Sequence, residues 1–163
     1  GHGQLDARLR ADPRVVVRER TNVRDLSGPE AVGGAVDVVT ADLSFISLRT
    51  VLPALLAVAR PGADLVLLVK PQFEAGRQEA ARGKGVITDP VVWRRVLDEV
   101  KGALVDHGAD IMGAMVSPLT GADGNVEFLL WARTPASDAA AAVPPSVDLD
   151  AVVAEALARR GEG

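Results

Sequence analysis

Val36, Val38, Val39 and Ala41 form a short apolar run rich in β-branched side chains, and the run stops at Asp42. Such a run reads as a strand buried on both faces of a parallel sheet. A second run, Leu65-Val-Leu-Leu-Val69, stops at Lys70-Pro71, and a third, Val126 to Trp131, carries Glu127 near its start. Open α/β sheets bind ligands beyond the carboxyl ends of their strands. An acid, an amine and a second acid therefore stand where such a sheet keeps its chemistry.

Between these runs the apolar spacing turns helical or breaks. Leu5 and Leu9 start a helix over Gly1 to Arg10, ended by Asp12-Pro13. Arg14-Val-Val-Val-Arg18 reads as a short strand and residues 19–25 as a polar loop, with turns at Ser27-Gly-Pro29 and Gly33-Gly34. Leu48, Val51, Leu52, Leu55, Leu56 and Val58 predict a helix from about 47 to 59, capped by Ser44 or Ser47 and closed by Pro61-Gly62. Pro53 fits its first turn or a kink.

Residues 71–90 form a long polar segment carrying Glu74, Arg77, Glu79, Arg82 and Lys84. A connection of that length in a compact domain is functional or mobile. Val92, Val96, Val100 and Leu104, spaced by four, predict an amphipathic helix over 91–107 that stops at Gly108. Strands over 109–116 and 125–133, joined by a loop, predict an antiparallel pair at that end of the sheet. Thr134 to Pro145 is an Ala/Pro-rich linker, and a short helix follows over 147–160. The expected division is a sheet-bearing domain over 1–133 and a linker with a terminal helix over 134–163.

Composition narrows the chemistry. The chain of 163 residues is 48% hydrophobic but only 3% aromatic, so a sizeable core is built from Val, Leu and Ala. It holds no cysteine, which excludes disulfides, thiolate metal sites and cysteine nucleophiles, and its two histidines make a His-rich metal site unexpected. No run approaches the roughly 20 apolar residues of a spanning helix and no signal peptide is visible, so a cytoplasmic protein is expected. The net charge of −4 argues mildly against indiscriminate nucleic-acid binding. Residues 1–24 nevertheless hold six Arg against three acids, a net of +3, which suits either phosphates or a plain solvated surface.

An acid closing a strand is often a helix cap or an ion-pair partner, and Asp42 alone proves little. Lys70 is more telling, because burying a lone ammonium after five apolar residues is costly without a partner. Asp42 on the neighbouring strand resolves that cost. Glu127 adds a third ionisable group, unless it faces solvent on an edge strand. There is no Walker pattern, no GxGxxG after a strand, and no histidine near Ser44 or Ser47 for a serine triad.

Five segments together carry a family resemblance. Glu19-Arg-Thr-Asn22, Ala41-Asp-Leu-Ser-Phe-Ile46, Val69-Lys-Pro-Gln-Phe-Glu-Ala-Gly76, Gly83-Lys-Gly-Val86 before Asp89-Pro90, and Asn125-Val-Glu-Phe128 stand in the order of the TlyA family. The chain resembles that family over roughly residues 1 to 133. Its members look like FtsJ-type ribose methyltransferases, known both as haemolysins and as ribosomal RNA cytidine 2′-O-methyltransferases.

The resemblance implies an α/β fold, a Rossmann-like class I methyltransferase sheet with an antiparallel last strand, using S-adenosyl-L-methionine. Asp42, Lys70 and Glu127 match the last three members of the family's Lys-Asp-Lys-Glu catalytic set. Asn22 matches the loop near the adenine, and Asp42 with Leu43 the loop beside the methionine moiety. The basic 70–90 segment, with Arg77 and Lys84, would close over ribosomal RNA within a ribosomal subunit, and no metal is implied.

The family's first Lys, its glycine-rich cofactor loop, the acid of its second strand and its S4-like domain have no counterpart here. The expectation is a sheet truncated on its N-terminal side, poorly stable alone and weak in cofactor binding. A non-catalytic ribosome-binding remnant and a membrane-active haemolysin remain as alternatives; the second lacks a basic amphipathic helix.

Overall fold

The computed structural model describes residues 2–136 and 145–161, with the side chain of Arg77 excepted. Its centre is a four-stranded sheet in the order β1-β2-β4-β3, built from β1 (Val36–Ala41), β2 (Ala59–Val69), β3 (Asp110–Val116) and β4 (Phe128–Arg133). β1 and β2 run parallel, while β4 runs antiparallel to both β2 and β3, as the expected terminal pair requires.

Six helices accompany the sheet among the described residues: α1 (Ala7–Ala11), α2 (Leu48–Val58), α3 (Pro71–Glu74), α4 (Arg77–Arg82), α5 (Pro90–Asp106) and α6 (Leu149–Gly161). Ser47 caps α2, accepting from the Arg49 N–H at 3.2 Å. Asp89 caps α5 with Pro90 at its first position, which suits a ring that has no N–H to leave unpaired.

The core lies between one face of the sheet and α2, α5 and α6. Leu65, Leu67, Val69, Phe128, Leu130 and Ala132 point into it from β2 and β4, all fully buried. Val51, Leu52, Trp93, Val96, Leu97, Val100 and Leu104 meet them from α2 and α5. Leu149, Val152, Val153 and Ala156 of α6 close the layer against α5 and β3.

The other face is much less covered: Val38, Met115 and Trp131 are exposed, and Val66, Leu68 and Leu129 only half-buried. The strands are thus buried on one face rather than two. An apolar run cannot by itself report how many layers flank a strand.

Several sequence expectations change. Arg14 to Arg18 forms no strand: Val15 and Val17 are half-buried, Val16 is exposed, and among the described residues no neighbouring strand supplies a ladder. The first helix is shorter than expected, with Asp6 as its cap. Pro61-Gly62 does not close α2, because β2 begins at Ala59 and the pairing jumps from Val36↔Ala59 to Val38↔Asp64 across them. Pro53 lies within α2, beyond its first turn. The polar segment after Lys70 is two short helices and a turn. Asn125 to Glu127 lie outside β4, for reasons given below. Within the linker, residues 137–144 lie outside the described residues.

Candidate active site

The register of the sheet brings the three charged residues together. Val69 of β2 pairs with Phe128 of β4, so Lys70, next after one, and Glu127, next before the other, share one rim. Ala41 of β1 pairs with Leu67, which carries Asp42 to the same rim. Lys70 Nζ lies 2.7 Å from Asp42 Oδ1 and 3.9 Å from Glu127 Oε1. The environments differ sharply: the Asp42 side chain is 71% exposed, that of Lys70 13% and that of Glu127 8%. Glu127 therefore faces the amine, not solvent. One ammonium between two carboxylates leaves the cluster formally net negative, with Asp42 the member open to solvent.

Glu127 is held from several sides. Gln72 of α3 donates from Nε2 to its Oε1 at 3.3 Å, and Ser117 donates its N–H to the Glu127 carbonyl at 2.9 Å. Gln72 Oε1 is buried with no partner among the described residues. Gly121 packs against the carboxylate so closely that an added Cβ would lie 2.7 Å from Glu127 Cδ. The 117–127 loop is fastened by Asn125, which is buried. Its amide donates to the Gly85 and Ala122 carbonyls at 2.9 and 3.0 Å and accepts from the Ile87 N–H at 3.1 Å. Its backbone is committed to the loop as well, the N–H donating to the Ala122 carbonyl at 3.2 Å and the carbonyl accepting from the Gly121 N–H at 2.8 Å, so neither is left for a strand ladder at Asn125. Its side-chain bonds anchor the Gly83-Lys-Gly85 turn, where Lys84 is exposed with φ 51°.

The remaining sequence candidates stand apart from the trio. Leu43, next to Asp42, is half-buried against the core. Asn22 is exposed and caps the 3-10 turn Val23–Asp25, accepting from the Arg24 N–H at 3.1 Å; that turn packs on α2. The side chain of Arg77 lies outside the described residues. Among the described residues, Lys84 forms no ion pair with the trio.

The loop leading to Asn22 is tied by Glu19. The Arg10 guanidinium, then the Gly3 N–H at 2.8 Å, and contact with His2, hold the Glu19 carboxyl at about 2 against an ordinary 4.5. A lowered carboxyl means that the unfolded chain protonates first. The tie therefore contributes fully above about pH 4.5 and fades as pH falls towards 2. Protection of the Gly3 amide from hydrogen exchange is expected to be lost across that window, and Glu19→Gln to abolish the transition.

Two residues were not legible as functional candidates. Phe45, 91% exposed, holds a left-handed φ of 63° and rests on Phe73 with ring centroids 5.1 Å apart. A non-glycine residue held there costs about 1–3 kcal/mol of strain. Glu74, in the polar segment, is 4% exposed and bound to the start of α2. The only sequence signal for either was its place inside a motif segment.

Comparison with known proteins agrees with this architecture. The FtsJ-like methyltransferase family matches residues 1–134. TlyA of Mycobacterium tuberculosis, a 16S/23S rRNA (cytidine-2′-O)-methyltransferase, is 54% identical over 134 residues, covering 82% of this chain and 49% of the relative. Hemolysin A of Brachyspira hyodysenteriae is 34% identical over 129 residues, covering 79% of this chain and 53% of the relative. The crystal structure of a "putative hemolysin" from Lactococcus lactis superposes with a TM-score of 0.86 at 34% identity, over 96% of this chain and 73% of that one. An FtsJ-like methyltransferase fold is the class these matches define. Within it, the chain belongs to the TlyA family. It spans about half the length of the curated relatives it matches.

Proposed function

We propose that this chain is the catalytic part of an enzyme that methylates the 2′-hydroxyl of cytidine in ribosomal RNA with S-adenosyl-L-methionine. The observation that carries this is the largely buried Lys70 amine, 2.7 Å from Asp42 at the rim where β1 and β2 end. The cytidine and ribosomal specificity follow the name of the Mycobacterium tuberculosis relative. Action on ribosomal RNA would place the protein in the cytoplasm. Residues 1–133 would form the methyltransferase unit, braced by α6.

The residues present fit the cofactor's charge. The solvent-open Asp42 carboxylate would suit the cofactor's cationic sulfonium and α-ammonium, and Leu43 and Asn22 would complete its binding site. S-adenosyl-L-methionine, when bound, supplies a methyl group already activated by positive sulfur. What the protein must add is alignment of a weakly nucleophilic hydroxyl and a route for its proton. Lys70 Nζ directs the 2′ oxygen. As Nζ takes the hydroxyl proton it passes one of its own to Asp42 Oδ1, on a side chain largely open to solvent. Glu127, fixed by Gln72 and Gly121, holds the amine on its inner side. Phe45 offers an exposed ring on which a base can stack, and Lys84 and Arg77 supply charge for phosphates.

The test is transfer of tritiated methyl from S-adenosyl-L-methionine to ribosomal subunits by the complete protein, followed by nucleoside analysis. Label in 2′-O-methylcytidine is the expected result, and label on a base would overturn the assignment. No specific observation favours a membrane-lytic role. Among the described residues no helix is long and apolar enough to cross a membrane.

A further inference from the structure

Glu74 is one of very few charged side chains buried among the described residues, and it does not touch the acid–amine–acid cluster. It ends α3, the short helix that begins directly after Lys70. Its backbone N–H donates to the Lys70 carbonyl at 3.2 Å. Its carboxylate reaches across to the start of α2, accepting from the Ser47 hydroxyl and from the Leu48 N–H, each at 2.6 Å. Arg49 completes the joint: its Nε stands 3.5 Å from the carboxylate, and its Nη2 donates to the Glu74 carbonyl at 3.0 Å. The same guanidinium pairs with Glu99 of α5 at 2.8 Å.

The two arms joined here are the two that carry the reacting pair. One runs from Asp42 through the loop to Ser47 and Leu48; the other runs from Lys70 through α3 to Glu74. Asp42 and Lys70 meet at the near ends of these arms, and Glu74 ties the far ends. The Phe45–Phe73 contact lies between the same two arms.

Burying a carboxylate is costly, and a helix start can be capped by a local side chain, as Ser47 already does for Arg49. A carboxylate adds something a local cap lacks: two acceptors fixed in one plane, bonded to two successive residues of the opposite arm.

We infer that Glu74 is a positioning residue for methyl transfer, clamping the Asp42–Ser47 loop to α3 and so setting the Asp42–Lys70 spacing. This rests on the cluster being the methyl-transfer site. A shift of about 1 Å at a reacting group can cost on the order of 100-fold in rate.

The test is made in the complete protein with Glu74→Gln, which keeps the shape but replaces one acceptor by a donor facing Ser47 or the Leu48 N–H. Single-turnover methyl transfer is expected to fall about tenfold or more, while directly measured affinities for S-adenosyl-L-methionine and RNA stay within about threefold. The melting temperature is measured alongside. A rate within twofold of the parent, in a folded variant, overturns the proposal. If Glu74→Gln does not fold, Ser47→Ala decides. That variant removes the Ser47 bond to Glu74 and the α2 cap on the Arg49 N–H together, while the carboxylate keeps Leu48 and Arg49. The lost cap lowers melting by itself, so rates are read at a temperature where the variant is fully folded: a rate loss there supports the clamp, and an unchanged rate overturns it. Lys70→Met is run in parallel. A fully active Lys70→Met protein brings down the site and the clamp together. A Lys70-dependent protein indifferent to Glu74 brings down only the clamp.

Discussion

Replacing Lys70 by Met is expected to lower single-turnover methyl transfer by about 100- to 10,000-fold, the usual contribution of a positioned proton-transfer group. The substitution keeps an unbranched stem of similar bulk and removes only the amine that Asp42 and Glu127 surround. Binding of S-adenosyl-L-methionine should change little, because the open Asp42 carboxylate remains. The fold should survive with a loss of about 1–3 kcal/mol, the cost of leaving a buried polar group short of a partner. Gln72 still donates to Glu127, and Asp42 is mostly in water, which keeps that cost modest. Single-turnover rates, direct cofactor titration and thermal melting separate the three effects. A Lys70→Met protein within threefold of the parent rate would remove the chemical role assigned to the amine.

Gly121→Ala is expected to act on the same site from behind. Gly121 has φ −73°, a conformation any residue adopts, so the backbone does not object to a side chain. The obstacle is Glu127, whose Cδ would lie 2.7 Å from the new methyl. The carboxylate must shift, which alters its 3.9 Å approach to Lys70. Overpacking of this kind costs about 1–3 kcal/mol of stability, and the displaced carboxylate should lower methyl transfer by roughly 10- to 100-fold. Gly124→Ala is the matched control: nothing lies within 4 Å of its added Cβ, but its φ of 78° makes alanine strained. It should lose about 1 kcal/mol of stability and keep its catalytic rate. Rate loss that followed stability equally in both variants would argue against a positional role for Glu127.

The frame was legible where apolar spacing is strong and local. β2, α5 and the antiparallel end of the sheet follow from runs and four-residue spacings that tertiary contacts do not override. Lys70 was legible for a different reason: an ammonium at the end of a fully apolar strand needs a partner. The failures share one physical cause, dependence on a neighbour. Arg14 to Arg18 has the composition of a strand, but a strand exists only with an adjacent ladder. Asn125 looked like the first residue of β4, but its backbone N–H and carbonyl close the loop on Ala122 and Gly121 instead. Glu74 stood in a long polar segment, and only the fold brings it to the start of α2, where it is buried on Ser47 and Leu48. Gly121 carried no signal, since nothing in its surroundings in the chain reveals that Glu127 folds back against it.

The measurement that bears most directly on the site is chemical rescue at Lys70. The chain contains no cysteine, so Lys70→Cys introduces a thiol that this domain otherwise lacks. Alkylation with 2-bromoethylamine then restores a primary amine on a stem of nearly lysine length, and the parent protein treated identically controls for modification elsewhere. The account predicts that the complete Lys70→Cys protein transfers almost no methyl groups until it is aminoethylated, and then regains a substantial share of the parent rate. Parent-like activity in the unmodified cysteine variant would contradict it.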